Sequence, residues 1–332
     1  MDREGKILLL GATVIICAAL IRMVGSAESR LPRDRLMEWI FFWQTGYRVE
    51  HTQHFAPKPI PTLPPDFPAQ PAAAEQPLMP LVMMQQDLQR VQLQNGTPYP
   101  VDKAALFEKP LDWNLHSDQP TVLILHTHAT ESYTKTENYE ESTDYRTLDE
   151  NYNMISIGAE LARCLDAKGI RVIHDKTTYD YPSYSGSYNR AREAVEKHLE
   201  ENPSICLVLD LHRDAMEGED GRQLGYTQQT GEGEAAKLMV VCGSDAGGLE
   251  YPNWQENLSL GLQLQSVLER RCPGLCRPLS LRTGRYNQDL MGNMLLIEVG
   301  AAGNTRQEAL LAVRELARAV ADMAQGVETE GQ

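Results

Sequence analysis

The chain has 332 residues, 42% of them hydrophobic, with a formal net charge of −15. That is longer than one small domain, and apolar enough for a sizeable core, which excludes a wholly disordered chain. The acidic balance speaks against nucleic acid and against electrostatic docking on anionic lipid, both of which call for lysine and arginine. An anionic substrate would have to be held by local basic residues.

After Lys6 comes ILLLGATVIICAALI, residues 7–21, which extends through Met23, Val24, Gly25 and Ala27. This is about the 20 residues that a membrane helix needs. A secretory signal peptide is the rival reading, because Gly25, Ser26 and Ala27 are small residues at a suitable cleavage point. The length of the run favours an uncleaved anchor over residues 1–27, placing the rest of the chain outside the cytoplasm as a single-pass membrane protein. Arg3 and Lys6 on its near side support that orientation only weakly, because Asp2 and Glu4 accompany them.

Residues 28–110 are expected to be largely non-globular. An aromatic run, WIFFW at 39–43, suits the membrane surface. Between 57 and 80 stand nine of the chain's 19 prolines, which excludes helix and central strand and leaves an extended spacer.

A globular domain is expected over 111–326, with 327–332 as a tail. TVLILH (121–126) predicts a strand, and NMISIGAELARCLDAKG (153–169) a helix stopped at Gly169. IRVIHD (170–175) predicts a strand and SYNRAREAVEKHLEEN (187–202) an amphipathic helix ending before Pro203. SICLVLDLH (204–212) and KLMVVCG (237–243) predict strands, followed by a helix over 254–271. NMLLIEVG (293–300) predicts a further strand, and residues 305–325 a closing helix. Alternating elements with continuously apolar strands predict a mixed, mostly parallel twisted α/β sheet with helices on both faces.

Six cysteines are present, Cys17 within the apolar run. The odd remainder leaves a free thiol in an exported domain. Cys206 and Cys242 read as small core residues, and Cys272 and Cys276 as a local disulfide or loop thiols. No second ligand pair for a zinc knuckle accompanies them.

In such sheets ligands bind beyond the carboxyl ends of the strands. One strand exits into His126, Thr127 and His128, with Glu131 just after; another into Asp210, His212, Arg213 and Asp214; a late one carries Glu298. A catalytic zinc takes three nitrogen or oxygen ligands and leaves a position for water, which a nearby carboxylate can deprotonate. His126, Glu131 and His212 are the expected ligands of one Zn2+, and Glu298 the general base and acid. His128 is the alternative first ligand, since His128 and Glu131 form an H-x-x-E pair. Arg213 would hold a substrate carboxylate or polarise the scissile carbonyl. Singly, a histidine at a strand end is more often structural; Glu298 is harder to place, because a buried carboxylate without a partner is costly. His174 and Asp175 are expected to make turn contacts. Tyr179, Tyr181, Tyr184 and Tyr188 would line a groove or pack a loop, and residues 132–152 read as a lid or a disordered loop. Arg282 and Arg285 are candidate contacts for an anionic substrate.

Together HTHATES, NYNMISIGAEL, IHDKTTYDYPSY, LVLDLHRDA, PNWQENLSL, RYNQDL and LLIEVGAAGNT resemble the stage II sporulation protein P family over residues 110–325. The resemblance implies an N-acetylmuramoyl-L-alanine amidase-type zinc hydrolase fold acting on peptidoglycan in engulfment of the forespore. It implies a cut between muramic acid and L-alanine, and it also implies cleavage of peptide cross-links. By the matching motifs it gives the essential glutamate to Glu298, a histidine ligand to His212, and the first ligand motif to His126 and Glu131. General amidases carry their glutamate ligand near the start of the first helix, where this chain has Asp149 and Glu150. A lytic transglycosylase, stage II sporulation protein D, is the partner it implies. A stem-peptide carboxypeptidase or endopeptidase and an inactive wall-binding scaffold are the competing functions.

Overall fold

The computed structural model of the protein describes residues 81–329, apart from 84, 112, 141, 143 and 326. The apolar run at 7–21, the aromatic run and the Pro-rich stretch lie outside the described residues. Among the described residues no helix is long and apolar enough to cross a membrane.

A seven-stranded sheet organises the fold. Its strands are β2 (Leu93–Asn95), β3 (Val122–Leu125), β4 (Val172–His174), β5 (Leu207–Asp214), β8 (Leu238–Cys242), β9 (Leu279–Leu281) and β10 (Met294–Ala301). Their order is β2-β9-β8-β10-β5-β3-β4. Every neighbouring pair is parallel except β8 with β10, so two parallel blocks meet along one antiparallel seam. The expected mixed, mostly parallel sheet is what forms.

Continuous apolar runs make both faces of the central strands dry. Alternation then sorts them. Val122, Ile124, Leu207, Leu209 and Leu211 join the main core, while Leu123, Leu125, Val208 and Met294 join a second cluster on the other face. Helices α3 (Met154–Asp166), α5 (Trp254–Arg271) and α6 (Arg306–Ala324) supply the main core, and α4 (Ser187–Glu201) sends Ala191 and Val195 into the second. The caps follow the sequence. The Asn153 side chain accepts from Ile155 N at 3.0 Å at the start of α3, and Thr305 and Glu308 form a capping box on α6. Gly169 takes φ +78 just past α3, the left-handed conformation that stops a helix.

The globular fold starts earlier than residue 111. Helices α1 (Gln85–Leu88) and α2 (Lys103–Phe107) bury Leu88, Leu106 and Phe107 in the main core, and β2 pairs with β9. Each piece spans only three to five residues, too short to show a period. At the other end β11 (Val327–Thr329) pairs in parallel with β1 (Leu81–Met83), so the stretch expected as a tail forms a strand. A hairpin of β6 (Thr227–Thr230) and β7 (Gly233–Ala236) was not expected either. Cys164, Cys206, Cys242, Cys272 and Cys276 are all free thiols, which excludes the local disulfide.

Candidate metal centre

The carboxyl ends of β3, β5 and β10 lie side by side, and the chain leaving β3 turns sharply. Asp210 on β5 pins that turn by accepting from Thr127 N at 2.8 Å and Thr127 Oγ1 at 2.6 Å. With Thr127 fixed, the two flanking histidines reach different partners. His126 donates from Nδ1 to the Leu211 carbonyl at 3.1 Å, which leaves its Nε2 lone pair to accept from His174 Nε2 at 2.9 Å. Burial pushes these two imidazoles down to about 4 and about 3, so both are neutral near pH 7. Gly158 on α3 makes room for the pair: a Cβ there would lie 2.5 Å from each Nε2.

His128 goes the other way. Its Nδ1 is 3.6 Å from Glu131 Oε1, and His212 Nδ1 is 3.6 Å from Glu131 Oε2. His128, Glu131 and His212 offer ligand atoms all within 4.8 Å of one another, and they are only 7%, 5% and 3% exposed. The expected trio therefore assembles with His128 in place of His126, which is turned away onto His174. Asp149 and Glu150 are not in the group. Asp149 caps a turn through Asn151 and Glu150 is exposed.

Burial alone would raise the Glu131 carboxyl, but the Arg213 guanidinium and the two imidazoles hold it well below the usual carboxylate range. Arg213 N donates to Oε2 at 3.1 Å and Arg146 Nη2 to Oε1 at 3.3 Å. Burial lowers His128, whereas Asp210 and Glu131 raise His212 well above its ordinary value despite burial. His212 Nε2 stands 3.0 Å from Asp210 Oδ1, close enough for an ion pair but not aligned for a hydrogen bond, so its polar atom is buried and unsatisfied. Around His128, Tyr184 stacks at 4.4 Å, Tyr188 meets it edge-on at 5.5 Å, and Ser187 Oγ lies 3.1 Å from Nε2.

Glu298 is the Cα partner of His212 across β10 and β5. It is 8% exposed, its Oε2 has no hydrogen-bond partner, and burial pushes its carboxyl up to about 8. Two buried polar atoms without hydrogen bonds, on His212 and Glu298, thus lie on neighbouring strands.

The donors fit a zinc ion. Tetrahedral coordination at about 2.0–2.1 Å puts ligand atoms roughly 3.3 Å apart, near the spacing of Glu131 to each imidazole. Two nitrogens and one carboxylate are zinc-type donors, and an outer partner on each ring, Ser187 and Asp210, is the usual means of orienting such ligands.

Arg213 does not stand ready for substrate. Its Nε donates to Ser132 O at 3.0 Å and Nη2 to Tyr145 O at 2.9 Å, so it braces the loop and Glu131. That loop is neither a free lid nor loose where described. Tyr133 OH donates to Val299 O at 2.8 Å, Tyr139 stacks on Tyr152, and Arg146 pairs with Asp180 at 2.9 Å over the Tyr184 ring. Arg146, Asp180 and Ser187 had carried no signal in sequence, whereas the tyrosine-rich stretch had. His174 serves His126 rather than a turn. Arg282 donates to Ser280 Oγ, and Arg285 pairs with Asp289 at 3.2 Å.

Fold and site together define an α/β protein with a His-Glu-His metal-type cluster at the strand exits of a largely parallel sheet. The chain belongs to the stage II sporulation protein P family, whose model matches residues 73–321. Stage II sporulation protein P of Bacillus subtilis strain 168 is 28% identical over 218 residues, 62% of this chain and 50% of that one. The chain thus spans about half the length of the curated relative it matches. Among solved structures it is similar to the CwlD amidase from Clostridioides difficile in complex with the GerS lipoprotein, with 15% identity, TM-score 0.37, and coverage of 60% and 94% of the two chains. It is also similar to an N-acetylmuramoyl-L-alanine amidase from Clostridium difficile 630, with 16% identity, TM-score 0.37, and coverage of 62% and 94%.

Proposed function

We propose that this protein is a zinc-dependent peptidoglycan hydrolase of sporulation that cuts the amide between N-acetylmuramic acid and L-alanine. The observation that carries the reading is the buried Glu298 carboxyl, whose Oε2 has no hydrogen-bond partner, on the strand beside His212. His128, Glu131 and His212 would hold the metal. When bound, zinc supplies a water acidified toward neutral pH and positive charge where oxyanion character develops.

The remaining work falls to the chain itself. Glu298 Oε2 accepts no hydrogen bond in the folded protein, so once ionised the carboxylate is free to take a proton from the nucleophile and return it to the departing amide nitrogen. Arg146 and Arg213 keep Glu131 ionised, the state in which a carboxylate ligates. Asp210 sets the β3 exit so that His128, not His126, meets Glu131.

Membership of the family supports a wall substrate and a sporulation role. An anchor at residues 7–21 would keep the domain at the outer face of the membrane, and a lytic transglycosylase of the stage II sporulation protein D kind would be the partner on the same wall.

Digestion of purified sacculi by the zinc-loaded chain tests the reading. New L-alanine amines with free lactyl groups on the glycan are expected. New ends only within stem peptides would make it a peptidase, and no released fragments would make it a binding scaffold.

A further inference from the structure

Two residues beyond His212 and Glu298, the strands touch side chains and backbone that line a cleft of about 530 Å³. At the end of β5, Asp214 accepts from Arg277 Nη1 at 2.6 Å; beside β10, Gly300 N donates to Lys237 O at 3.1 Å. Arg277 and Lys237 both line this cleft, with Arg90, Gln265, Glu269 and Tyr226. Two residues along a strand is roughly 6–7 Å, so the cleft opens next to the candidate metal centre on the same sheet edge.

Its charges do not cancel. Asp214 satisfies Arg277, and the Glu269 carboxylate accepts from Gly274 N at 2.8 Å and Cys276 N at 2.7 Å. No carboxylate among the described residues pairs with Lys237 or Arg90. Lys237 and Arg90 thus outnumber the one carboxylate not paired with a cation, Glu269, and the cleft is net cationic in a chain of net charge −15. The same lining holds an unsatisfied group: Gln265, 2% exposed, donates from Nε2 to Arg277 O at 3.1 Å but leaves Oε1 buried without a donor.

We propose that this cleft is a binding subsite for a carboxylate-bearing peptide, with Lys237 and Arg90 taking the carboxylate and Gln265 Oε1 accepting a peptide N–H. A sulfate would meet the two cations but leave Gln265 unsatisfied, and a hydrogen phosphate offers it only a P–OH; a peptide with a free carboxylate uses all three through its carboxylate and its N–H. The subsite deepens the reading of a peptide-bearing wall substrate and rests on it only for the identity of that peptide.

The test is equilibrium binding, which does not need turnover. The zinc-loaded full chain is titrated with N-acetyl-Ala-Glu, with its uncharged counterpart N-acetyl-Ala-Gln-amide, and with inorganic phosphate. The wild type is expected to bind the diacid at least about tenfold more tightly than the amide, since hydrogen bonds to charged groups are stronger than those between neutral ones. Arg90→Gln with Lys237→Gln should remove that preference while leaving zinc content and the thermal midpoint unchanged. Gln265→Leu should weaken diacid and amide alike. Equal binding of diacid and amide by the wild type, a preference that survives the double substitution, or phosphate binding as tightly as the diacid would overturn the proposal. A failure to digest sacculi, with the diacid preference intact, would remove the hydrolase reading and leave this subsite standing.

Discussion

His212 and Glu298 sit directly opposite each other on neighbouring parallel strands, with Cα atoms in register. Both side chains are buried, and His212 belongs to the group of possible metal donors whereas Glu298 does not. The metal-free pair is frustrated: Glu298 Oε2 and His212 Nε2 are both buried without hydrogen bonds. Buried polar atoms without hydrogen bonds are rare in folded proteins, and each one is a pointer to a functional role.

Glu298→Gln keeps the shape and removes the proton acceptor. Zinc content should stay at the wild-type level while hydrolysis of sacculi falls by about 10²–10⁴-fold, the usual range for a lost general acid–base group. Full activity in this variant would remove Glu298 from the chemistry.

The same carboxyl predicts a pH dependence of stability. Its folded value is about 8 against an ordinary 4.5, so the folded state binds the proton more tightly. Its contribution is therefore complete below pH 4.5 and is lost as pH rises toward and through 8. In chelator, metal-free wild type should lose stability relative to Glu298→Gln across that window, with a slope of up to about 1.4 kcal/mol per pH unit. Urea midpoints measured at intervals from pH 5 to pH 8 decide it, and parallel curves for the two proteins would contradict the assignment. His126 and His174 push the other way in both proteins, because their depressed values give stability that is lost as pH falls. The comparison between variants cancels them.

Gly158→Ala separates packing from propensity. In an open helix, alanine would stabilise by about 1 kcal/mol over glycine. Here the new methyl meets two imidazole nitrogens at 2.5 Å, and overpacking of that kind costs about 1–3 kcal/mol. A lower urea midpoint is expected; a higher one would mean that the His126–His174 contact yields easily.

Arg213→Met tests bracing against substrate contact. Without its guanidinium, Glu131 keeps a buried charge with less compensation, a loss of the kind that costs about 3–5 kcal/mol. Metal-free stability should fall steeply, and added zinc should restore part of it by mass action. Unchanged stability with a raised KM would return Arg213 to the substrate-binding role that its position in sequence suggested.

Much of this arrangement was legible beforehand. The five strands from TVLILH to LLIEVG are readable from short apolar runs bounded by polar and turn residues, and the helix over 254–271 from its greater length. The three strand exits named every residue of the cluster, including His128 as the alternative. What sequence could not decide was which histidine turns inward, because that depends on Asp210 holding Thr127 and on Gly158 admitting the His126 ring, contacts between residues 32 to 83 positions apart. Arg213 was misread for a related reason. A charged residue at a strand exit looks available until the carbonyls of Ser132 and Tyr145 are seen to occupy it. Residues 85–107 were missed because helices of four and five residues leave no periodic trace.

The most direct measurement is anomalous diffraction at the zinc edge from crystals of the zinc-loaded protein. The account predicts one peak bonded to His128, Glu131 and His212, with Glu298 beside it and His126 still on His174. A peak ligated by His126, or none within reach of Glu131, would contradict it.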